Sequence, residues 1–175
     1  MNKNTNYNYK INMIVCLFIC IVIFFVKRNK EPNTVPYLAD TAQIIPDTLD
    51  IYTVASELAA VGVVFPEIAA CQAYLETGNF KSKLCINHNN LFGMMKAYSR
   101  DNMQFEFVST KYGLFGKYPH WSTACLDYRL FQNQFDLSEC TDYFQFLKKI
   151  RYAQDEQYIS KLTQIYDLYF IRETP

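Results

Sequence analysis

Residues 71–82 read CQAYLETGNFKS, and they complete a segment that opens at Pro66 and runs through EIAACQAYLE to Gly78. Pro66 suits the first helical position, where its missing N–H costs nothing, and Gly78 suits the left-handed residue that closes a helix. The segment is therefore predicted to be a helix, and its small and apolar residues make it one built for burial. Glu76 goes against that pattern. It falls in the last turn, at the negative end of the helix dipole, where a carboxylate stabilises nothing and its pKa is pushed upward. A helix shaped only by stability would carry lysine there.

Working outward, Ile51, Val54, Ala55, Leu58 and Ala59 recur at helical spacing before Gly62, which predicts a helix ahead of the acid-bearing one. Beyond it come a short helical stretch around Ser82–Ile86 and the loop sequence NHNNLFGMM, residues 87–95. Gln104–Ser109 alternates as QFEFVS, and after the turn-like STKYG the run Gly113–Lys117 completes an expected antiparallel hairpin. Three more helices follow. WSTACLDYRLFQNQF (121–135) is expected to start at Ser122 or Thr123, the next spans Asp142–Ile150, and the last runs Asp155–Ile171 from an acidic cap. Many helices with one inserted hairpin give an α+β fold class.

The chain has 175 residues, half of them hydrophobic, enough for one domain with its own core. Lys+Arg and Asp+Glu balance at 17 each, so the basic footprint of a nucleic-acid binder is missing and no nucleic-acid partner is expected. Ahead of the domain, residues 11–26 read INMIVCLFICIVIFFV between Lys3 and Lys10 on one side and Lys27, Arg28 and Lys30 on the other. This run is too apolar on every face for an amphipathic helix, although short of the roughly 20 residues of a full span. KRNK stands where a cleaved signal would need small residues, so residues 1–28 are expected to be a transmembrane anchor with short basic flanks. Cys16 follows Val15 and Cys20 follows Ile19, which rules out a lipoprotein signal. Basic residues on both sides leave the topology open. Residues 29–48 contain Pro32, Pro36 and Pro46 and no periodicity, hence a linker, and residues 49–175 form the domain.

Four cysteines belong to the domain: Cys71, Cys85, Cys125 and Cys140. They allow up to two bridges or buried free thiols, and both readings stand. With no CxxC and only His88 and His120 beside them, neither a zinc site nor any other metal or cofactor is expected.

Glu76-Thr77-Gly78 at a helix end, Asn89-Asn90-Leu91-Phe92-Gly93, Tyr118-Pro119-His120-Trp121 before a helix with Asp127-Tyr128, and Tyr152-Ala153 before Tyr158, in that order, resemble the bacterial glucosaminidase domain, family 73 of the glycoside hydrolases. The likeness spans roughly residues 50–172. It implies a lysozyme-like fold, with a mainly helical lobe and a small β-hairpin lobe forming a groove for peptidoglycan glycan strands. It also implies cleavage of the β-1,4 bond between N-acetylglucosamine and N-acetylmuramic acid, outside the cytoplasmic membrane of a bacterium and facing the periplasm or wall.

By the same resemblance Glu76 matches the catalytic acid. A glycosidic oxygen leaves only when protonated, so the donor must keep its proton near neutral pH, and burial beside Phe92 together with the helix end would favour that. The second carboxylate is expected to be Glu106 on the hairpin, with Asp101 behind it. Substrate is expected to meet Asn90 and Phe92 on the floor beside the acid, Tyr118 as a groove aromatic, and Tyr152, which with Tyr158 either lines the groove or braces the last helix. Trp121 is expected to anchor the lobes, and Asp127 to be structural. Asn79 and Phe80 stand where the family often has an aromatic and a second glycine. A lytic transglycosylase or muramidase acting on the same strands, and a non-catalytic wall-binding scaffold of an envelope-spanning assembly with an unidentified partner, are the competing functions.

Overall fold

A computed structural model of the chain describes residues 49–172. The expected anchor (1–28) and linker (29–48) lie outside the described residues, and among the described ones no helix is long and apolar enough to cross a membrane.

Helix α1 (Ile51–Ala60) is capped by Asp50, whose carboxylate accepts the Thr53 N–H at 2.7 Å. Helix α2 (Pro66–Thr77) is the centre of the fold. Ile68, Ala69, Ala70, Cys71, Gln72 and Ala73 are buried in succession, so between its exposed first-turn Glu67 and its last turn this helix has no solvent face. Its alanines and cysteine leave room for α1 on one side and for α6 (Tyr158–Tyr166) on another. It ends as its sequence predicts, at Gly78 with φ +58°. Helix α3 (Lys83–His88) follows, with the Ser82 hydroxyl accepting the Cys85 N–H at 3.1 Å.

Strands β1 (Glu106–Thr110) and β2 (Gly113–Lys117) pair antiparallel, Glu106 facing Lys117 and Thr110 facing Gly113. The NNLFG loop adds to the other edge of β2, where Met95 bridges Phe115 and the Gly116 N–H donates to the Met94 carbonyl at 2.9 Å. β1 begins later than its alternation suggests because the Gln104 N–H is taken by the Asn102 side chain at 3.1 Å.

Helices α4 (Trp121–Gln132) and α5 (Tyr143–Lys149) complete the helical part with α6, which runs on into a π-helical turn at Asp167–Ile171. α4 is capped by the His120 ring, which accepts the Ser122 N–H at 3.2 Å, and not by Ser122 or Thr123. α6 starts at Tyr158 and not at Asp155, whose carboxylate is spent on the Gln157 N–H and on Lys161. All four domain cysteines are free thiols. Cys71, Cys85 and Cys125 are buried, and burial pushes the first two up to about 12 and about 11.

The hairpin is tied to the helices through Asp127 on α4, which is fully buried. Arg100 grips both carboxylate oxygens at 2.8 Å, the Tyr118 hydroxyl donates at 2.6 Å, and the Met103 N–H donates at 2.9 Å. Arg100 and Met103 precede β1 and Tyr118 follows β2, so both ends of the hairpin converge on one side chain. Asp127→Ala would strand the guanidinium and the phenol in a buried place, and is expected to cost about 3–5 kcal/mol in urea unfolding.

Candidate active site

Glu76 stands where α2 reaches the surface. Thr77 turns its hydroxyl back to the Ala73 carbonyl at 2.6 Å and accepts the Phe80 N–H at 2.8 Å, while its own carbonyl accepts the Ser82 N–H at 2.8 Å. These bonds hold a run of left-handed residues, Gly78, Asn79 and Phe80, with φ of 58°, 60° and 60°. Such a conformation costs a non-glycine residue about 1–2 kcal/mol. Phe80 offsets this by burying its ring edge-on against Tyr74. The departure from glycine here is thus accommodated by packing, and the helix end keeps its place.

The Glu76 side chain is open to solvent on one side and closely flanked by protein on the others. Burial raises its pKa, and the neighbouring Tyr158 hydroxyl opposes that rise. The NNLFG loop brings Gly93, φ +61°, beside the acid, where a Cβ would stand 3.7 Å from Glu76 Oε2. Tyr152 stacks on Tyr158 with ring centroids 5.8 Å apart and meets Phe131 edge-on. Its phenol lies within the fields of both Glu76 and Arg100, and burial first, then Glu76, pushes its pKa up. No hydrogen bond engages that hydroxyl among the described residues, and none of their buried side-chain polar atoms lacks a partner, so the Tyr152 hydroxyl reaches solvent.

Three expected substrate contacts are turned inward. Asn90 is 1 % exposed and its amide is fully used: the nitrogen donates to the Met94 and Gly116 carbonyls, and the oxygen accepts the Met94 N–H. Phe92 is buried and packs on Tyr128 with ring centroids 4.4 Å apart. Tyr118 is 2 % exposed, with its hydroxyl committed to Asp127. These side chains shape the loop and brace the lobes, and the surface they support belongs to other residues. Glu106 is solvent-exposed on β1 and ion-paired with Lys117 at 3.0 Å. Asp101 is exposed in the loop before it, and Trp121 packs into the core at the start of α4.

Two participants were not found from sequence. Arg100 gave no local signal, because its partner Asp127 is remote in the chain. Gln72 was detectable, since it sits four residues before Glu76 and therefore on the same helix face; it is buried and donates to the Tyr158 hydroxyl at 3.3 Å. A cavity of about 740 Å³ opens on the far side of Tyr158, lined by Leu147, Lys148, Arg151 and Ile159 among others. Glu76 does not line it, so the acid and the cavity are separate features. Among the described residues no cluster of His, Cys, Asp or Glu is arranged to hold a metal ion.

A raised carboxyl pKa has a consequence for stability. The folded state holds the Glu76 proton above the pH at which the unfolded chain releases it, so this group's contribution is present in acid and is lost as pH rises through the folded pKa. Glu76→Gln is therefore expected to match or exceed the wild-type melting temperature at pH 7, with the difference vanishing near pH 4, read by calorimetry at both values.

The family model for glucosaminidase, described as mannosyl-glycoprotein endo-beta-N-acetylglucosaminidase, matches residues 52–170. Among solved structures, the catalytic domain of the autolysin Auto from Listeria monocytogenes is similar, at 21% identity and a TM-score of 0.51, over 68% of this chain and 81% of that one. The fold is thus the lysozyme-like one, mostly helical with a two-stranded antiparallel sheet. No curated protein sequence matches the chain.

Proposed function

This chain belongs to the glucosaminidase family of glycoside hydrolases, and we propose that it cleaves the β-1,4 bond between N-acetylglucosamine and N-acetylmuramic acid in peptidoglycan, with Glu76 as general acid. The observation that carries the reading is a carboxyl at the open end of an otherwise buried helix, with its pKa raised by burial. In the step, the proton of Glu76 passes to the glycosidic oxygen as the bond from that oxygen to the anomeric carbon breaks, and water adds its oxygen to that carbon. The half-buried Tyr152, whose hydroxyl makes no hydrogen bond among the described residues and lies in the field of Glu76, supports a role in hydrogen-bonding the sugar beside the acid.

Glu106 is the second carboxylate of this reading, acting on the attacking water. Its exposure and its Lys117 partner leave room for the other course, in which the substrate's own acetamido group attacks the anomeric carbon. A lytic transglycosylase would need only the one acid, and a muramidase would cut the alternate bond. The same reading takes residues 1–28 as the anchor and 29–48 as the spacer that let the domain work on the wall from the outer face of the cytoplasmic membrane; a reporter fused to the carboxyl end tests that side.

The full chain, purified in detergent, is expected to release fragments with reducing N-acetylglucosamine ends from purified sacculi, identified by mass spectrometry. Reducing muramic ends would make it a muramidase and anhydro-muramic ends a transglycosylase. Glu76→Gln is expected to lower the rate by at least about 100-fold; a variant that kept full rate would remove Glu76 as the acid, and release of no fragments by the wild-type chain, with wall binding retained, would favour the scaffold reading. Glu106→Gln at wild-type rate would assign the second role to the acetamido group. The rate should fall on the alkaline side as Glu76 loses its proton, at a pH above the ordinary glutamate range.

A further inference from the structure

We infer that Gln72 is a positioning residue, the last link of a one-way hydrogen-bond chain that begins at the Val64 peptide and aims the Tyr158 hydroxyl proton at Glu76. The inference rests on the reading of Glu76 as the acid.

The direction of the chain follows from counting protons. Gln132 on α4 is fully buried and pinned at both ends by the backbone of one residue: its oxygen accepts the Val64 N–H at 2.9 Å and its nitrogen donates to the Val64 carbonyl at 2.9 Å. That contact fixes which end of the amide is nitrogen. The second amide proton goes to the Tyr143 hydroxyl at 2.8 Å. Tyr143 and Tyr128 are hydrogen-bonded at 2.8 Å, and Tyr128 gives its single proton to the oxygen of Gln72. Tyr143 must therefore be the donor to Tyr128. With the Gln72 oxygen occupied, its nitrogen faces Tyr158 and donates at 3.3 Å. Tyr158, accepting there, has one proton left, and Glu76, one turn beyond Gln72 on the same face of α2, is the carboxyl beside it that the proton can serve.

The reverse arrangement fails inside the core. If Gln72 flipped, Tyr128 would donate to Tyr143, which already accepts from Gln132, and the Tyr143 proton would be left without an acceptor. Tyr128, Tyr143, Gln72 and Gln132 have no solvent exposure, so no water relieves that loss. The flipped state would also turn the Tyr158 proton toward Gln72 and away from the acid. The core thus selects the orientation in which Tyr158 serves Glu76.

The titratable groups facing Glu76 are Tyr158 from α6 and Tyr152 from the segment before it, with Arg100 beyond Tyr152, and the NNLFG loop brings Gly93 without charge. Donation by Tyr158 favours the ionised acid, against burial, and so sets where the acid lets go of its proton. Without Gln72 that donation loses its direction, and Glu76 should hold its proton to higher pH.

The test is the pH dependence of the initial rate on sacculi at low substrate, with the full chain in detergent. Gln72→Leu is expected to move the alkaline limb upward by about half a pH unit. Tyr128→Phe, which deletes the proton that holds the Gln72 oxygen and keeps the ring packed on Phe92, should move it the same way by less. Should Gln72→Leu fail to fold, the Tyr128→Phe shift decides alone. Loss of thermal stability with an unmoved limb, or a limb that moves down, would overturn the chain as a positioning device. Glu76→Gln run alongside separates the two ideas: an active variant removes the acid and this inference together, and an inactive one with unmoved limbs in the others removes only the chain.

Discussion

A carboxylate cut off from water has to find in the protein the donors that water would have supplied, and Asp127 finds them in two chain segments that flank the hairpin. Arg100 brings the loop before β1, Tyr118 the end of β2, and the Met103 N–H the backbone between. Each of these groups would be costly to leave alone in the interior, so they assemble together or not at all. Around this knot the NNLFG loop closes through Asn90, whose amide joins Met94 to Gly116. Gly93 is thereby brought beside Glu76. The placement of this loop beside the acid is thus tied to one buried ion pair.

The helix that carries the acid meets two demands. Its middle, residues 68–73, is buried on all sides, and Gln72 within it is tolerated because Tyr128 and Tyr158 satisfy its amide. Its last turn gives up a stabilising residue for Glu76, whose raised pKa works against the folded state at neutral pH. A left-handed run after Thr77 adds backbone strain in the same place, offset by the burial of Phe80. Strain and an unfavourable carboxyl concentrated at one helix end are what a functional site costs a fold.

The ends of α2, the hairpin and the α+β class were legible in the sequence because proline, glycine and alternation act over a few residues. Glu76 was legible for the same reason, as an acid at the wrong end of a helix. The roles of Asn90, Phe92 and Tyr118 were not, because an amide or an aromatic ring has the same letter whether it meets a sugar or a neighbouring strand. Only the tertiary placement shows that the Asn90 amide and the Tyr118 hydroxyl are already occupied and that the Phe92 ring is buried. Arg100 and Asp127 lie on either side of the hairpin in sequence, and nothing local marks them as partners. The His120 cap was missed because an imidazole replaced the expected hydroxyl.

The four free thiols bear on how the domain persists where it works. No covalent crosslink joins the described residues, so their endurance is that of a noncovalent core closed by ion pair and amide. Such a core does not depend on the redox state of its surroundings: it neither waits for an oxidase in order to mature nor comes apart when a reductant is added. Its buried sulfurs, held protonated, are also poor targets for the electrophiles and oxidants that strip exposed cysteines.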